Sequence, residues 1–283
     1  MQYHRPGSLD AAVTLLRDLG DRGMPLAGGT FFVPHRRELF TDIEAVVDVQ
    51  DLGLGYITLE NETLRIGATA SLASLLESQV LKNTSFRIIP ETVAQITPLE
   101  LRNRATVGGD LCISAETDLP TALIALNAQL LVASGSGTRT IPLEQFYAGY
   151  LENTLQVGEL VTEVMVALPG RMSGSAFHKF KRRAIDLPVL NAAARVELDA
   201  GGRCVAARIV LGCAEAIPVR AGSAEKALLG TRCEDSDIVR SSEATGDIDY
   251  LGDIRASREL RRVWGRVAVR EVLREAVKRA MEN

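Results

Sequence analysis

The chain has 283 residues, of which 46% are hydrophobic and 24% charged, and its formal net charge at pH 7 is -4. This composition predicts a globular protein of about two domains, each long enough to bury a core, and excludes a disordered chain. The acidic balance gives no general attraction to nucleic acid. No apolar run approaches the roughly 20 residues that span a bilayer, and His4 and Arg5 stand where a signal peptide needs apolar residues. We therefore expect a cytoplasmic protein without membrane insertion.

The N-terminal part carries the signals of a small α/β lobe. Ser8 is suited to cap a helix whose apolar residues recur at helical spacing, and Gly20 or Gly23 is suited to end that helix. Strands are predicted at 43–49, 56–59 and 64–68, the last two around a tight connection. The first lobe is expected to end near residue 55.

A second lobe and a further domain are predicted to follow. Helices are expected at 71–76 and 121–126, and strands at 129–133 and 160–168. The proline, glycines and serine at 169–174 are the best breaker cluster of the chain and mark a domain boundary. Beyond it, strands of an antiparallel sheet are predicted at 176–183, 192–198 and 204–212.

The chain is predicted to end in helices. From Ser257 onward the apolar residues form a helical stripe, made of Leu260, Val263, Trp264, Val267, Val272, Leu273, Ala276, Val277 and Ala280. Arginines lie on the other face, and Arg255 is counted among them. We interpret that face as solvated or in contact with another subunit, because glutamates interleave with the arginines.

Cysteine and histidine spacing predicts no metal site. Four cysteines, Cys112, Cys204, Cys213 and Cys233, are scattered without any C-x-x-C pair, and three histidines show no ligand spacing. We expect reduced thiols.

Two glycine-rich motifs are the most informative feature of the chain. They are P-L-A-G-G-T at 25–30 and R-A-T-V-G-G-D at 104–110. Adjacent glycines remove the Cβ atoms that keep a ligand away from the backbone, and successive N–H groups in a turn form a nest for phosphate oxygens. Two such turns could hold one diphosphate from two sides, or each could simply turn the chain. Neither has the spacing of the Rossmann or P-loop fingerprints.

The wider sequence resembles the flavin-binding subunit of the molybdenum hydroxylases, the family of xanthine dehydrogenase and carbon monoxide dehydrogenase. The hallmark of that family is an A-G-G-T-type turn followed by a T-[IV]-G-G-[ND] turn, and both are present. The resemblance extends to L-R-I-G-A at 64–68 and P-V-R-A at 218–221. It implies an α+β fold, with a two-lobed FAD-binding domain of the PCMH type followed by a C-terminal domain of antiparallel sheet and helices. The expected domains are 1–170, with lobes 1–55 and 56–170, and 171–283.

The resemblance also implies a set of FAD-binding residues. The first motif would contribute Leu26, Ala27, Gly28, Gly29, Thr30, Phe31 and Phe32, and the second Ala105, Thr106, Gly108, Gly109 and Asp110. Both would hold the pyrophosphate and ribityl chain at the seam between the two N-terminal lobes.

Three further residues match positions near the flavin in the family. Asp118 would bond the adenosine or ribityl region, or else cap the following helix. Lys179 would lie near the flavin ring and raise its potential, or else point to solvent. Val161 would pack against the ring, or else belong to an ordinary core. No catalytic acid, base or nucleophile and no metal ligand is expected.

Three departures from the family pattern stand out. Phe31 replaces a residue that is usually polar and next to the reactive edge of the flavin, which could alter acceptor choice. The loop 111–117 is one residue shorter than usual, and Leu187 stands where some relatives have an aromatic residue over the ring.

The implied function is that of an FAD subunit in a heteromeric molybdenum hydroxylase. It would take electrons from a two-iron, two-sulfur subunit and pass them to NAD, a quinone or oxygen, while a molybdopterin-binding large subunit oxidises the substrate. Two alternatives remain open, namely a self-contained FAD oxidase or reductase and a scaffold subunit that has lost FAD.

Overall fold

The computed structural model describes residues 1–82, 84–113 and 116–283. The N-terminal part forms a three-stranded parallel sheet of order β1-β3-β2. Its elements are β1 (Gln2–His4), α1 (Leu9–Leu19), β2 (Gly23–Leu26), α2 (Phe32–His35) and β3 (Ala45–Asp48). The Ser8 hydroxyl accepts a hydrogen bond from the Ala11 N–H, and Gly20 ends α1, which confirms the predicted capping of this helix.

The next part of the chain is built on a five-stranded antiparallel sheet of order β4-β5-β10-β6-β7. Its strands are β4 (Ile57–Glu60), β5 (Thr63–Gly67), β6 (Gln129–Ser134), β7 (Gly137–Pro142) and β10 (Leu160–Ala167), and β8 (Tyr147–Gly149) and β9 (Glu152–Asn153) pair separately. Its helices are α3 (Leu72–Glu77), α4 (Ile88–Ala94), α5 (Leu99–Arg104), α6 (Val107–Ile113) and α7 (Leu119–Ala125). Asn61 and Glu62 both have positive φ, as a two-residue hairpin requires, so the predicted tight connection is confirmed.

The C-terminal part is a four-stranded antiparallel sheet with helices. The elements are β11 (Ser173–Phe180), β12 (Leu190–Leu198), β13 (Cys204–Gly212), β14 (Val219–Arg220), α8 (Gly222–Leu228), α9 (Asp235–Glu243) and α10 (Arg258–Glu282). The helix α10 lies against β11 and β12, and a Cβ at Gly174 would meet the Ala276 carbonyl oxygen at 2.1 Å. Glycine at this position therefore allows the close approach of sheet and helix.

The C-terminal sheet is covered on both faces. Ala193 and Val210 pack into the core around α7 and the five-stranded sheet, whereas their neighbours Ala192 and Ile209 pack into a second core beneath α10. Because successive strand residues point to opposite faces, a strand covered on both sides reads as a continuous apolar run, as β12 does. The predicted α+β class is confirmed. No helix in the described ranges is both long and apolar enough to cross a membrane.

The predicted stripe on the C-terminal helix is correct only in its second half. In the first half, Leu260, Val263 and Val267 are 39 to 54% exposed, and Arg261 is buried instead. Arg261 donates hydrogen bonds to the carbonyl oxygens of Val189 and Leu251. Apolar periodicity does not predict this burial, because the buried arginine is stabilised by polar contacts with distant segments.

Candidate functional site

The first glycine motif forms the connection between β2 and α2. Gly29 has a φ of +69°, in the left-handed region that favours glycine. The backbone N–H groups of 28–32 make no hydrogen bond to any of the residues that the structure describes, and residues 28–31 are partly exposed. The Thr30 hydroxyl is likewise unpaired within those residues. The turn and the start of α2 thus present five successive unpaired N–H donors, and such a run is the arrangement that forms a nest for an anion such as a diphosphate.

Phe31 explains part of this openness. It stands at the start of α2, where a polar residue would accept a hydrogen bond from the helix, and its side chain makes no such bond. The ring instead stacks on His35, with centroids 4.3 Å apart. The side chain of Phe32 turns inward and packs with Ile43 and Val46. Phe32 therefore offers only its backbone to the open turn.

The second glycine motif is a helix start, and its N–H groups have partners within the protein, so they are not free to form a phosphate-binding nest. Gly108 and Gly109 lie in the first turn of α6, and every N–H from 107 to 110 is paired. Val107 donates to the Ala70 carbonyl and Gly108 to the Ala68 carbonyl, at 2.9 and 2.8 Å. Gly109 donates to the Thr106 hydroxyl oxygen at 3.2 Å. These donors are used because the motif runs alongside residues 68–71, a long-range contact with no signal in the motif itself.

The glycines are explained by contacts between chain segments. A Cβ at Gly28 would lie 2.0 Å from the Arg104 carbonyl oxygen, and one at Gly108 would lie 2.7 Å from the Ala68 Cβ. Gly28 therefore lies directly against the residues that precede Thr106. The two motifs meet, as a seam between the two N-terminal lobes requires, but only the first presents free N–H groups.

Asp110, the last residue of the second motif, has a polar neighbour. The Thr117 hydroxyl donates to its Oδ2 at 3.0 Å, and burial raises the pKa of Asp110 to about 7. Nearby, Tyr147 is buried, and its hydroxyl has no partner within the described part of the chain. A carboxyl group with this pKa is only partly ionised near pH 7, and its protonated form can donate a hydrogen bond as well as accept one.

Asp118 and Lys179 form a buried ion pair. The Lys179 Nζ lies 2.6 Å from the Asp118 Oδ2, and both side chains are 3% exposed. Asn191 donates to the other Asp118 oxygen at 2.9 Å and accepts from the Thr121 hydroxyl at 2.8 Å. Burial raises the pKa of Asp118, and the bonds from Lys179 and Asn191 oppose that rise.

This ion pair excludes the simpler interpretations of both residues, a helix cap for Asp118 and a solvent-exposed side chain for Lys179. Asp118 makes no capping hydrogen bond to α7, and Lys179 does not point to solvent. Sequence reasoning placed each near the flavin without recognising that they bind each other. They are 61 positions apart, and only the contact of α7 with β11 brings them together.

Val161 does not reach the site surface. It is 3% exposed and lies in the large core cluster, paired across strands with Val132. This position favours the core alternative, and contact of Val161 with the flavin ring stays a prediction. An aliphatic residue in a central strand gives no local signal that separates these roles.

Arg255 anchors the loop that follows α6, and sequence reasoning missed it. It precedes α10 and donates to Glu116 at 2.6 Å and to Asp253 at 2.8 Å. These carboxylates raise the pKa of Arg255, and two arginines hold the pKa of Asp253 below its usual range. The shortened loop 111–117 also contains Ser114 and Ala115, which lie outside the described residues. Leu187 is 59% exposed.

Comparisons with known proteins agree with this geometry. The family model for the FAD binding domain in molybdopterin dehydrogenase matches residues 1–169, and that for the CO dehydrogenase flavoprotein C-terminal domain matches 175–276. The chain is 32% identical over 276 residues to the 6-hydroxypseudooxynicotine dehydrogenase complex subunit alpha of Paenarthrobacter nicotinovorans, covering 96% of this chain and 93% of that one. It is 33% identical to the carbon monoxide dehydrogenase medium chain of Afipia carboxidovorans, covering 81% and 80%.

Solved structures match over nearly the whole length. The carbon monoxide dehydrogenase from Hydrogenophaga pseudoflava superposes with a TM-score of 0.93 at 28% identity, covering 99% of this chain and 98% of that chain. These matches define the chain as a flavoprotein that binds FAD. The chain belongs to the family of FAD-binding subunits of the molybdenum hydroxylases, which are components of oxidoreductases.

Proposed function

We propose that this chain is the electron-transfer subunit of a molybdenum hydroxylase complex. It receives electrons from a two-iron, two-sulfur subunit and passes them to an external acceptor, which is NAD, a quinone or oxygen. The substrate is oxidised on a separate molybdopterin-binding subunit. FAD, when bound, accepts electrons singly or as a pair, which suits a subunit between an iron–sulfur centre and a two-electron acceptor. The relatives named as subunits of dehydrogenase complexes support the need for partners.

The observation that carries the proposal is the run of five unpaired N–H groups at 28–32. They and the free Thr30 hydroxyl would hold the FAD pyrophosphate from one side. Across the seam, Ala105, Thr106 and Gly109 would form the opposing wall through shape and the Thr106 hydroxyl. The Thr106 oxygen already accepts from Gly109, so its O–H remains available to donate.

The Asp118–Lys179 pair would lie further along the same groove. Lys179 would face the pyrimidine edge of the flavin, where a positive charge stabilises the reduced cofactor. Because Asp118 neutralises it at 2.6 Å, Lys179 would act as one end of a dipole and not as a net charge. Asp118 thereby positions the ammonium and limits its effect on the flavin potential.

The binding assignment is tested by titrating the purified apo chain with FAD and FMN and following flavin fluorescence. We expect clear preference for FAD, because a nest of five donors is unnecessary for a monophosphate. Equal affinity for the two flavins would contradict the assignment. A chain that binds neither would be the scaffold alternative.

A matched glycine pair locates the site. Gly29→Ala strains a residue with φ +69° in the open turn, whereas Gly53→Ala strains one with φ +73° that has free space around it. Both substitutions cost about 1 kcal/mol of backbone strain. We expect the FAD dissociation constant to rise at least tenfold in Gly29→Ala only. The same rise in both variants would mean that the effect is general destabilisation.

A further inference from the structure

Two buried cysteines lie close together in the C-terminal part of the chain, far along the sequence from both glycine motifs. Cys204 begins β13, and Cys233 lies in the connection between α8 and α9. The backbone of Cys204 pairs with that connection on both sides, donating to the Thr231 carbonyl at 2.9 Å and accepting from Gly230 at 2.8 Å. Both thiols are at most 4% exposed and belong to the same apolar core. This pairing places Cys204 beside a segment that ends two residues before Cys233.

The two thiols are chemically different. The Cys204 S–H donates to the Ala206 carbonyl oxygen at 3.5 Å. The proximity of the two thiols raises the pKa of Cys204 and lowers the pKa of Cys233. The Thr231 hydroxyl, 4.0 Å from the Cys233 sulfur, lowers that pKa further, whereas burial and the Asp237 carboxylate oppose the change. Of the two cysteines, Cys233 lines a surface concavity and Cys204 does not, so Cys233 is the one that a small oxidant reaches first, and Cys204 is the neighbour that can resolve its oxidised form.

A surface concavity reaches Cys233. It has a volume of about 460 Å³, and its lining includes Cys233, Arg274 and Lys278 as well as the carboxylates of Asp235 and Glu282. A molecule as small as a peroxide can enter such a space without unfolding the core. Nothing in the proposed electron transfer uses this concavity or either cysteine.

We propose that Cys204 and Cys233 form a peroxide-responsive dithiol that closes to a reversible disulfide. The Cys233 thiol loses its proton, its sulfur attacks one oxygen of hydrogen peroxide, and the O–O bond breaks; Cys233 becomes a sulfenic acid, and the hydroxide that leaves takes up that proton as the first water. The Cys204 sulfur then attacks the Cys233 sulfur, the S–O bond breaks, and the leaving hydroxide takes the Cys204 thiol proton to give the second water. The two cysteines lose two electrons, and the peroxide gains them. A thiol reductant reverses the reaction.

The test treats the purified full chain with hydrogen peroxide, blocks free thiols under denaturing conditions and maps peptides by mass spectrometry. We expect the four thiols to fall to two, with one cross-link between 204 and 233 that dithiothreitol removes. Cys112 and Cys213 are internal controls, because burial raises both their thiol pKa values to about 12. Retention of all four thiols, or equal oxidation of the control cysteines, would overturn the proposal.

Single variants test the order of attack. In Cys204→Ser, Cys233 should accumulate as a sulfenic acid that dimedone labels, whereas in Cys233→Ser neither peptide should be labelled. Labelling of Cys204 in the second variant would show that the assigned roles are wrong. Cys204→Ala and Cys233→Ala repeat the comparison in case a buried serine hydroxyl disturbs the fold, which circular dichroism checks.

Discussion

The buried pair of Lys179 and Asp118 allows the charge arrangement of the site to be measured. At 2.6 Å, two unit charges attract by about 6 kcal/mol at an effective dielectric of 20, and the desolvation of both ions offsets most of this. Removing one partner leaves an unpaired buried charge. We therefore expect Lys179→Met and Asp118→Asn each to lower the free energy of unfolding by about 3–5 kcal/mol, whereas the double variant stays within about 2 kcal/mol of wild type.

Urea denaturation of the apo chain measures these values, and a double-mutant cycle isolates the coupling between the two side chains. Lys181→Met is the control for loss of a nearby positive charge without loss of the ion pair: Lys181 donates to the Ala184 carbonyl at an exposed position and acts on Asp118 only as a more distant charge, so this change should alter stability by less than about 0.5 kcal/mol. If the two single effects add in the double variant, the coupling free energy is zero and the ion pair does not contribute to stability.

The pH dependence gives a second measure. In Lys179→Met, burial without the cation raises the pKa of Asp118 above its unfolded value. The folded state then binds a proton more readily than the unfolded state, so the stability deficit is full near pH 8 and shrinks as the pH falls. With FAD bound, the flavin midpoint potential should rise in Asp118→Asn, which frees the positive charge of Lys179, and fall in Lys179→Met. Unchanged potentials in both would place the pair far from the ring.

Four further expectations follow from single contacts. Gly28→Ala should unfold at lower urea than Gly109→Ala, because its Cβ meets a backbone oxygen at 2.0 Å, and a denaturation series compares the two. Arg279→Met should cost about 2–4 kcal/mol in the same assay, because Arg279 joins α10 to Glu91 and to a buried carbonyl; an effect below 0.5 kcal/mol would contradict this role. In wild type, the buried Asp110 has a raised folded-state pKa, so the stability falls as the pH rises through about 7 and this carboxyl ionises. Asp110→Asn should remove that fall. The chain alone should show little turnover with purines or aldehydes, yet it should copurify with an iron–sulfur chain and a molybdenum-binding chain when these are coexpressed; robust substrate oxidation by the isolated chain would favour the self-contained flavoenzyme.

Much of the local structure was predictable because its causes are local. The cap at Ser8, the hairpin at 60–63 and the strand β13 depend on a few neighbouring residues, and the structure confirms them. The two glycine motifs could be located in the same way, since glycine pairs near apolar runs are visible in any single sequence. The division into 1–170 and 171–283 stays a prediction, as do the individual FAD contacts.

Local sequence predicted the α+β class, the family and several elements such as α1 and β13, because propensity, capping and motif spacing are short-range properties, but it did not predict the helix α6. Only the tertiary structure decided which glycine motif keeps its N–H groups free, since the donors of 107–110 are used by segment 68–71. Only the fold could pair Lys179 with Asp118, bury Val161 and turn Arg261 inward. Each depends on contact between segments far apart in the chain, and the energy of such contacts is set by burial and geometry that no local pattern records.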